Sequence, residues 1–307
     1  MKLLELFSGI GGFALGLHKA GVEFDKHYFS EIDKHAIANY KYNFKNAESI
    51  GTVTNVCSSG IERPDIITFG FPCQDLSIAG KRKGFDGERS SLFFSAMEII
   101  DKFKPDTFIF ENVKGLFSSN RGKDFTAVLR TIADIGLYEC EWQLVNTRWV
   151  LPQNRERVYF IGHLTGRSQP RVFPFRENDF VVRKSQSKIN VKLQHLFNTG
   201  NNSQGERVYD TNGLYSSLGV RQQGANKIFT DNNIRYLTEI ECERLQGFPD
   251  NWTQYGNYDG EIKKISKTQR YKMLGNAVTV DIVKLIAERL FSQTDAKTGR
   301  DSCVKQL

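Results

Sequence analysis

The sequence predicts an α/β fold, with a doubly wound, mostly parallel sheet and a smaller, irregular, β-rich domain. Up to about residue 165, short apolar runs of strand length alternate with segments of helical period, which is typical of helices wound over both faces of a parallel sheet. Beyond that point the alternation stops, and Asn, Gly and Ser gather at 198–205. We therefore expect a large domain followed by a small one.

The individual elements follow from the same two patterns. Apolar runs predict strands at 3–7, 27–30, 66–70, 107–110 and 158–162. Helical periodicity predicts helices at 13–20, 34–44, 92–103 and 125–135, with a last amphipathic helix at 278–290. On this basis the large domain spans 1–176, the small domain spans 177–265, and a segment at 266–307 returns to the large domain.

Composition excludes several classes of protein. The 307 residues are 39% hydrophobic, which is ordinary for a soluble globular chain. No apolar stretch approaches the roughly 20 residues of a membrane span, and no signal peptide precedes the first strand, so we expect a cytoplasmic protein without a membrane partner. The five cysteines are an odd number without C-x-x-C spacing, which predicts neither a disulfide framework nor a metal site.

Positive charge is concentrated in one part of the chain. The formal net charge is +7, and residues 166–235 alone hold eleven Lys and Arg against five Asp and Glu. Charge by itself leaves two interpretations open, a solvated basic surface or a domain that faces phosphates.

The first strand leads into a glycine-rich turn. Gly9, Gly11 and Ala14 satisfy G-x-G-x-x-[GA], and acidic Glu31 follows near the end of the next strand. Such a turn lets a ligand approach the backbone at a helix N-terminus. It fits a nicotinamide or flavin dinucleotide or S-adenosyl-L-methionine, and it could also serve only to pack helix on strand.

Cys73 stands in FGFPCQDLS, directly after a predicted strand. Pro72 restricts the preceding residue to extended geometry, so the thiol is displayed at the ligand edge of the sheet, as a nucleophile requires. A glycine-rich, basic stretch follows, suited to a loop that closes over a polyanion. Glu111 ends the strand at 107–110, and Gln153-x-Arg155-x-Arg157 places two arginines on one face of an extended segment.

Seven motifs, taken in their order along the chain, resemble those of the DNA (cytosine-5)-methyltransferases. They are FSGIGGF, SEID, FGFPCQ, ENV, QNRER, RYLTEIECERLQGFPD and GNAV. The resemblance implies a Rossmann-like methyltransferase fold, S-adenosyl-L-methionine as methyl donor, and cytosine in double-stranded DNA as substrate. It also implies that the small domain chooses the target sequence. The chain departs from the family pattern at Glu5, Thr52 and Ile240, where the family usually has Asp, Asp and Arg.

The resemblance also implies residue roles. The cofactor-binding residues would be Phe7, Gly9, Gly11, Gly12, Glu31, Ile32, Val53, Pro72, Leu92, Asn276 and Val278. The catalytic residues would be Cys73, Glu111, Gln153, Arg155 and Arg157. The DNA-binding residues would be Ser77, Lys81, Arg82, Lys83, Arg89, Gln204, Arg207 and Arg221, and no residue is assigned to a metal.

Chemistry explains why the family needs these groups. Cytosine C5 is too weak a nucleophile to attack a sulfonium methyl group, but addition of the Cys73 thiolate at C6 raises the electron density at C5. A protonated Glu111 at N3 and the Arg155 cation near O2 would offset the charge that builds on the ring. The target base must be flipped out of the duplex, at a cost of about a few kcal/mol.

Two other functions remain open at this point. A dinucleotide-dependent oxidoreductase would account for the glycine turn and Glu31, although not for the other motifs. A catalytically inactive DNA-binding homologue would keep the fold without the reaction. For an active enzyme we expect a monomer, with a restriction endonuclease of the same specificity as a candidate partner.

Overall fold

A computed structural model describes residues 1–71, 91–167, 170–176, 179, 195–198, 207–210, 214–218, 227–230 and 233–291. Within this part of the chain, no helix has both the length and the apolar character needed to cross a membrane.

A seven-stranded sheet forms the centre of the molecule. Its strands are β1 (Lys2–Leu6), β2 (Lys26–Ser30), β3 (Glu48–Ser49), β4 (Ile66–Gly70), β5 (Thr107–Val113), β6 (Tyr138–Asn146) and β8 (Glu156–Leu164). They lie in the order β3-β2-β1-β4-β5-β8-β6, and neighbouring strands are parallel except that β8 is antiparallel to both β5 and β6. This confirms the predicted doubly wound, mostly parallel sheet.

Helices occupy the connections between the strands. They are α1 (Gly12–Lys19), α2 (Lys34–Asn43), α3 (Ser91–Phe103), α4 (Lys123–Ile135), α5 (Glu239–Leu245), α6 (Lys267–Asn276) and α7 (Val280–Phe291). The helix expected at 278–290 begins two residues later than predicted, because Ala277 ends α6 with extended backbone. Every predicted helix is present.

The strands bury side chains on both faces, which explains their continuous apolar runs. On one face, Leu4, Phe69 and Phe110 belong to a core that α3 and α4 cover. On the other face, Leu3 and Ile109 belong to a second core that includes residues of α1 and α7. Successive residues of a strand thus enter different cores.

Strand β6 is absent from the predicted elements. Its residues are mostly half-buried and its outer edge pairs with no strand among the described residues, so it lacks the apolar run that marks the other strands. Side chains of β6 cover that edge instead. Glu141 accepts hydrogen bonds from the backbone of residues 172 and 173, and the Gln143 amide both accepts from and donates to the backbone of Phe175. These contacts tie residues 172–175 to the sheet.

Smaller sheets follow the main one. The remaining strands are β7 (Gln153–Asn154), β9 (His195–Asn198), β10 (Arg207–Asp210), β11 (Tyr215–Ser216), β12 (Lys227–Thr230), β13 (Asn233–Tyr236), β14 (Tyr255–Tyr258) and β15 (Glu261–Lys264). Four of them form a sheet in the order β13-β12-β10-β9, β11 pairs with β7, and β14 pairs with β15.

The small sheets are anchored to the large domain. A third core joins Ile10 and Leu15 of the large domain to Tyr209 and Leu237. Strand β14 lies against α2, and the Trp252 indole donates to the carbonyl of Ile10 at 3.0 Å. Residues 252–258, which the prediction assigns to the small domain, therefore pack on the large domain. The domain boundaries at 176 and 265 stay a prediction.

Candidate active site

The carboxyl ends of β1, β4 and β5 meet at one edge of the sheet. The direction of winding changes between β1 and β4, which is where doubly wound sheets bind ligands. Leu6 pairs with Phe69, and Gly70 pairs with Glu111. The glycine turn, the residues that lead to Cys73, and the Glu111 carboxylate therefore share this edge.

The turn after β1 has a strained backbone at Phe7 and open space beside Gly9. Phe7 has a left-handed φ of 50°, which is unfavourable for a residue with a side chain and is concentrated at functional sites. Gly9 also has a positive φ, of 54°, and no atom lies within 4 Å of the position that a Cβ would occupy there. A ligand can approach the backbone at Gly9.

The next two glycines are required by packing. A Cβ on Gly11 would lie 2.3 Å from the Phe44 ring, and a Cβ on Gly12 would lie 2.6 Å from Val278. Gly12 begins α1, so its contact with Val278 holds the N-terminus of that helix close to the C-terminal segment of the chain.

Glu31 connects the end of β2 to the glycine turn. One carboxylate oxygen accepts a hydrogen bond from the Gly9 amide at 2.9 Å, and the other accepts from the amides of Ile32 and Asp33 at 2.7 and 2.9 Å. A carboxylate offers about four lone-pair sites, so Glu31 keeps the capacity for a further donor such as a hydroxyl group.

Apolar surface lies beside these polar groups. The Ile32 side chain, next to Glu31, is 81% exposed. Phe7 and Leu92 pack against the core that contains Val53. Asn276 ends α6 and is exposed. A helix N-terminus, an open glycine, a carboxylate with spare acceptor capacity and an exposed apolar side chain fit an adenosyl cofactor with a charged amino-acid end.

Behind the turn lies a buried carboxyl group. Glu5 accepts hydrogen bonds from the Tyr40 hydroxyl at 2.7 Å and from the Ala14 amide at 3.2 Å. Burial raises the pKa of Glu5 to about 8, although these hydrogen bonds oppose the shift. Glu5 therefore supports the first turn of α1 from within the core.

On the β5 side, two guanidinium groups flank Glu111. The Arg157 Nε lies 2.8 Å from Oε1 of Glu111, and the Arg155 Nη2 lies 4.0 Å from the same oxygen. Oε1 is nevertheless buried without a hydrogen-bond donor among the described residues. The Arg157 N–H does not point at it, so this contact is an ion pair.

Arg155 is almost completely buried, with 3% of its surface exposed. Its Nη2 donates to the Ala277 carbonyl at 2.8 Å, while Nε and Nη1 have no hydrogen-bond partner among the described residues. Burial lowers the pKa of Arg155 to about 10, and the neighbouring Arg157 contributes in the same direction. The group remains a cation at neutral pH, with the N–H groups of two nitrogen atoms, Nε and Nη1, available to a ligand.

Gln153 and Asn112 complete this side of the site. Gln153 is fully buried, and neither atom of its side-chain amide has a partner among the described residues. Its backbone pairs with Tyr215, which connects the site to the small sheets. Asn112 donates to the Phe71 carbonyl at 3.2 Å and so holds the chain two residues before Cys73. Asn112 was not among the predicted site residues, although it stands in the ENV motif.

Several predicted site residues lie outside the described part of the chain. They are Pro72, Cys73, Ser77, Lys81, Arg82, Lys83, Arg89, Gln204 and Arg221. Arg207 is the first residue of β10, and only its backbone is described. Burial raises the pKa of Cys140 to about 12 and also raises that of Cys242, so both are thiols at neutral pH and poor nucleophiles.

Comparison with known proteins identifies the family. The profile of C-5 cytosine-specific DNA methylases matches residues 1–212 and 199–292. The Type II methyltransferase M1.ScrFI of Lactococcus lactis subsp. cremoris is 35% identical over 94% of this chain and 77% of its own length. The Type II methyltransferase M.HhaI of Haemophilus parahaemolyticus is 30% identical over 97% of this chain and 96% of its own length.

A solved structure supports the fold independently. The crystal structure of the S. pombe Dnmt2 methyltransferase has a TM-score of 0.69 at 20% identity, covering 95% of this chain and 98% of that one. The matches give no support to a dinucleotide-dependent oxidoreductase. The chain belongs to the C-5 cytosine-specific DNA methylases, enzymes that methylate DNA cytosine with S-adenosyl-L-methionine as the methyl donor.

Proposed function

We propose that this chain methylates C5 of a flipped-out cytosine in a specific sequence of double-stranded DNA, through a covalent adduct between Cys73 and cytosine C6. The observation that carries the proposal is the set of buried polar atoms without partners beside the carboxyl end of β4. Glu111, Gln153 and Arg155 all contribute such atoms. Since buried polar groups are normally hydrogen-bonded, this set is suited to a polar ligand such as a cytosine edge.

The cofactor would lie at the glycine turn. Glu31 would bind its ribose hydroxyls, Phe7, Ile32, Val53 and Leu92 would enclose its adenine, and the amides at the start of α1 with Asn276 and Val278 would complete the site. When bound, S-adenosyl-L-methionine supplies an electrophilic methyl group on a sulfonium centre.

The protein groups would act on the base in sequence. The Cys73 thiolate forms a bond to C6, and the electron pair displaced from the C5–C6 bond makes C5 nucleophilic. Glu111, protonated in the complex with the base, would give a proton to N3, and the Arg155 N–H groups would bind O2, so charge does not accumulate on the ring. After methylation a base removes the C5 proton, the C6–S bond breaks to restore the thiolate, and the N3 proton returns to Glu111.

The rest of the chain would bind DNA. Pro72 would orient Cys73, and the loop that carries Ser77, Lys81, Arg82, Lys83 and Arg89 would close over the DNA and contact its phosphates. The small domain at 177–265 would choose the sequence. A monomer acting in the bacterial cytoplasm, alongside a restriction endonuclease of the same specificity, completes the proposal.

The adduct gives a direct test. We expect Cys73→Ser to abolish methylation while leaving S-adenosyl-L-methionine and DNA binding within about threefold, because the thiol contributes to the chemistry and little to binding. DNA with 5-fluorocytosine at the target should trap the adduct with the unsubstituted enzyme, since fluorine cannot leave as a cation. The trapped species should survive denaturing electrophoresis.

Two results would contradict the proposal. An enzyme that methylates cytosine and never forms an adduct would remove Cys73 as the nucleophile. A chain that binds cognate DNA and cofactor but methylates no DNA would be the inactive homologue. Bisulfite sequencing of DNA from cells that express the chain reports activity and target sequence together.

For sequence recognition we propose Gln204 and Arg207, with Arg221 as a further DNA contact. Arginine can bind guanine O6 and N7 with two hydrogen bonds, and glutamine can fill the space that a flipped base leaves. If Arg207 reads a base, Arg207→Ala should weaken binding by about 1–3 kcal/mol, chiefly on cognate DNA. If it contacts only a phosphate, cognate and scrambled duplexes should weaken equally and the salt slope should fall by about one. Binding across a salt series separates the two roles.

A further inference from the structure

Arg155 is part of a closed ring of hydrogen bonds. The Thr147 amide donates to the Arg155 backbone carbonyl at 2.8 Å. The Arg155 guanidinium donates to the Ala277 carbonyl at 2.8 Å. Two residues beyond Ala277, the hydroxyl of Thr279 lies 2.9 Å from the hydroxyl of Thr147, which closes the ring. Both ends of Arg155 are therefore held by segments that the two threonine hydroxyls join.

The directions of these bonds follow from their neighbours. The Gln246 amide nitrogen donates to the Leu274 carbonyl at 3.0 Å, so the amide oxygen is the atom that faces Thr279, at 3.2 Å. Thr279 must donate its single hydroxyl proton to that oxygen. It then accepts from Thr147, whose hydroxyl is the donor of the 2.9 Å bond.

The two hydroxyl groups are buried, so water cannot replace the hydrogen bonds that they make. Thr147 and Thr279 are 2% and 1% exposed, and Gln246 is completely buried. Removing the Thr279 hydroxyl would leave the Thr147 donor without an acceptor and the Gln246 oxygen without a donor. The surrounding backbone, including Ala277, would have to move to satisfy them.

We propose that Thr279 is a positioning residue for Arg155, acting through Thr147 and the Ala277 carbonyl. This inference rests on the proposed function, in which Arg155 binds cytosine O2. The segment that carries Thr279 also places Val278 against Gly12 at the start of α1. The three-residue segment 277–279 thus contacts the glycine turn through Val278, Arg155 through the Ala277 carbonyl, and Gln246 through Thr279.

If Thr279 positions Arg155 through its hydroxyl group, loss of that hydroxyl should slow the reaction even when the packing of the side chain is kept. Thr279→Val keeps the side-chain shape and removes the hydroxyl, and Thr279→Ser keeps the hydroxyl. We expect the valine variant to lower the single-turnover rate constant about tenfold with saturating cofactor and DNA, because misplacement of a catalytic group by 1 Å can cost about 100-fold. The serine variant should recover the rate to within about twofold. Dissociation constants for S-adenosyl-L-methionine and cognate DNA should stay within about threefold.

The experiment separates positioning from stability. A purely structural loss would reduce the folded fraction, and hence the amplitude of the single turnover, without changing its rate constant. Formation of the 5-fluorocytosine adduct should slow by the same factor, since Arg155 acts during thiolate addition. Thr131→Val is a matched control, because Thr131 donates its hydroxyl to the Ala127 carbonyl on α4, away from the site. Its rate constant should equal that of the unsubstituted enzyme.

A second variant breaks the same bond from the other side. Thr147→Val should slow the reaction to a similar extent, and the double variant with Thr279→Val should be no slower than the slower single variant, because the two changes remove one shared bond. An unchanged rate constant in Thr279→Val, equal losses in the valine and serine variants, or multiplied losses in the double variant would overturn the inference. If the unsubstituted enzyme formed no adduct, the proposed function would fail instead.

Discussion

The two halves of the site differ in how their polar groups are satisfied. On the cofactor side, the Glu31 carboxylate accepts three backbone hydrogen bonds, and the Glu5 carboxyl accepts two. On the base side, Gln153, Arg155 and the Oε1 of Glu111 include buried atoms without hydrogen-bond partners among the described residues. Apart from the buried Ser8 hydroxyl, which also lacks a partner among the described residues, the cofactor half is already hydrogen-bonded, whereas the base half has several such atoms.

This difference reflects what each half has to do. A cofactor site needs a fixed backbone shape, which the hydrogen bonds from Gly9 and the packing of Gly12 provide. A site for a flipped base must offer donors and acceptors that no protein group already uses. Each buried polar group left without a partner costs about 1–3 kcal/mol, which a fold retains where a substrate later supplies the partner. Changes on the two sides should therefore affect different kinetic constants.

Among the described residues of the two halves, the largest effect should come from Glu111→Gln on the base side. Glutamine keeps the volume and removes the titratable proton, so we expect the methylation rate to fall by about two to four orders of magnitude, the usual range for a general acid. Cofactor affinity should stay within about threefold. Single-turnover rates and S-adenosyl-L-methionine binding by calorimetry measure the two quantities.

Glu156→Gln provides the control for this change, since Glu156 pairs with Lys114 at the surface at 2.8 Å and should tolerate the loss of charge. If Glu111→Gln instead weakened cofactor binding strongly and left the single-turnover rate unchanged, Glu111 would belong to the cofactor half and the comparison would be wrong.

Glu31→Gln should show the opposite pattern with a smaller effect. An amide has one oxygen, so either Gly9 or the pair Ile32 and Asp33 would lose its acceptor and face an NH₂ group. We expect the dissociation constant for S-adenosyl-L-methionine to rise about 10- to 100-fold, the equivalent of one charge-assisted hydrogen bond. The rate at saturating cofactor should stay within about threefold.

Glu62→Gln, which changes a surface carboxylate paired with Lys2, should alter neither constant. A reduced rate at saturating cofactor in Glu31→Gln would show that the two halves are not independent.

The sequence could predict most of the large domain, because buried parallel strands carry continuous apolar runs that stand out from amphipathic helices. Strand β6 could not be found in this way, since its half-buried residues follow no such run and its edge is covered by side chains that bond 172–175. The sequence of the small domain contains few patterns that predict strands. Its short strands are held by contacts with residues far away in the sequence, such as Ile10.

Site residues were predicted from motif order, and their contacts were not. The Ala277 carbonyl that holds Arg155 is separated from it by 122 positions, and a backbone acceptor leaves no mark in the sequence. The same applies to the Asn112 contact with Phe71, 41 positions away. Residue type identifies a group that can do chemistry, whereas its neighbours depend on the complete fold.

The smallest effect on catalysis should come from Glu5→Gln, which tests whether the carboxyl group behind the cofactor turn is purely structural. Protonated Glu5 and glutamine have similar shapes, so we expect methylation at neutral pH to change by less than about twofold. The effect should appear in the pH dependence of the free energy of unfolding. Burial raises the pKa of Glu5 from 4.5 to about 8 in the folded chain.

Between those pH values the folded chain binds more protons than the unfolded chain, so Glu5 makes stability fall as pH rises. His27, which contacts the Tyr40 hydroxyl at 2.7 Å, opposes this at lower pH, because burial lowers its pKa from 6.5 to about 4 and stability then rises across that range. From about pH 6.5 to 8 the Glu5 slope remains, and it should remove about 2 kcal/mol from the free energy of unfolding, at about 1.4 kcal/mol per pH unit. Urea unfolding across this window should show the decline in the unsubstituted protein and in Glu23→Gln, an exposed control, but not in Glu5→Gln. Equal slopes in all three proteins would mean that Glu5 is ionised in the fold and that the cofactor turn rests on a buried charge.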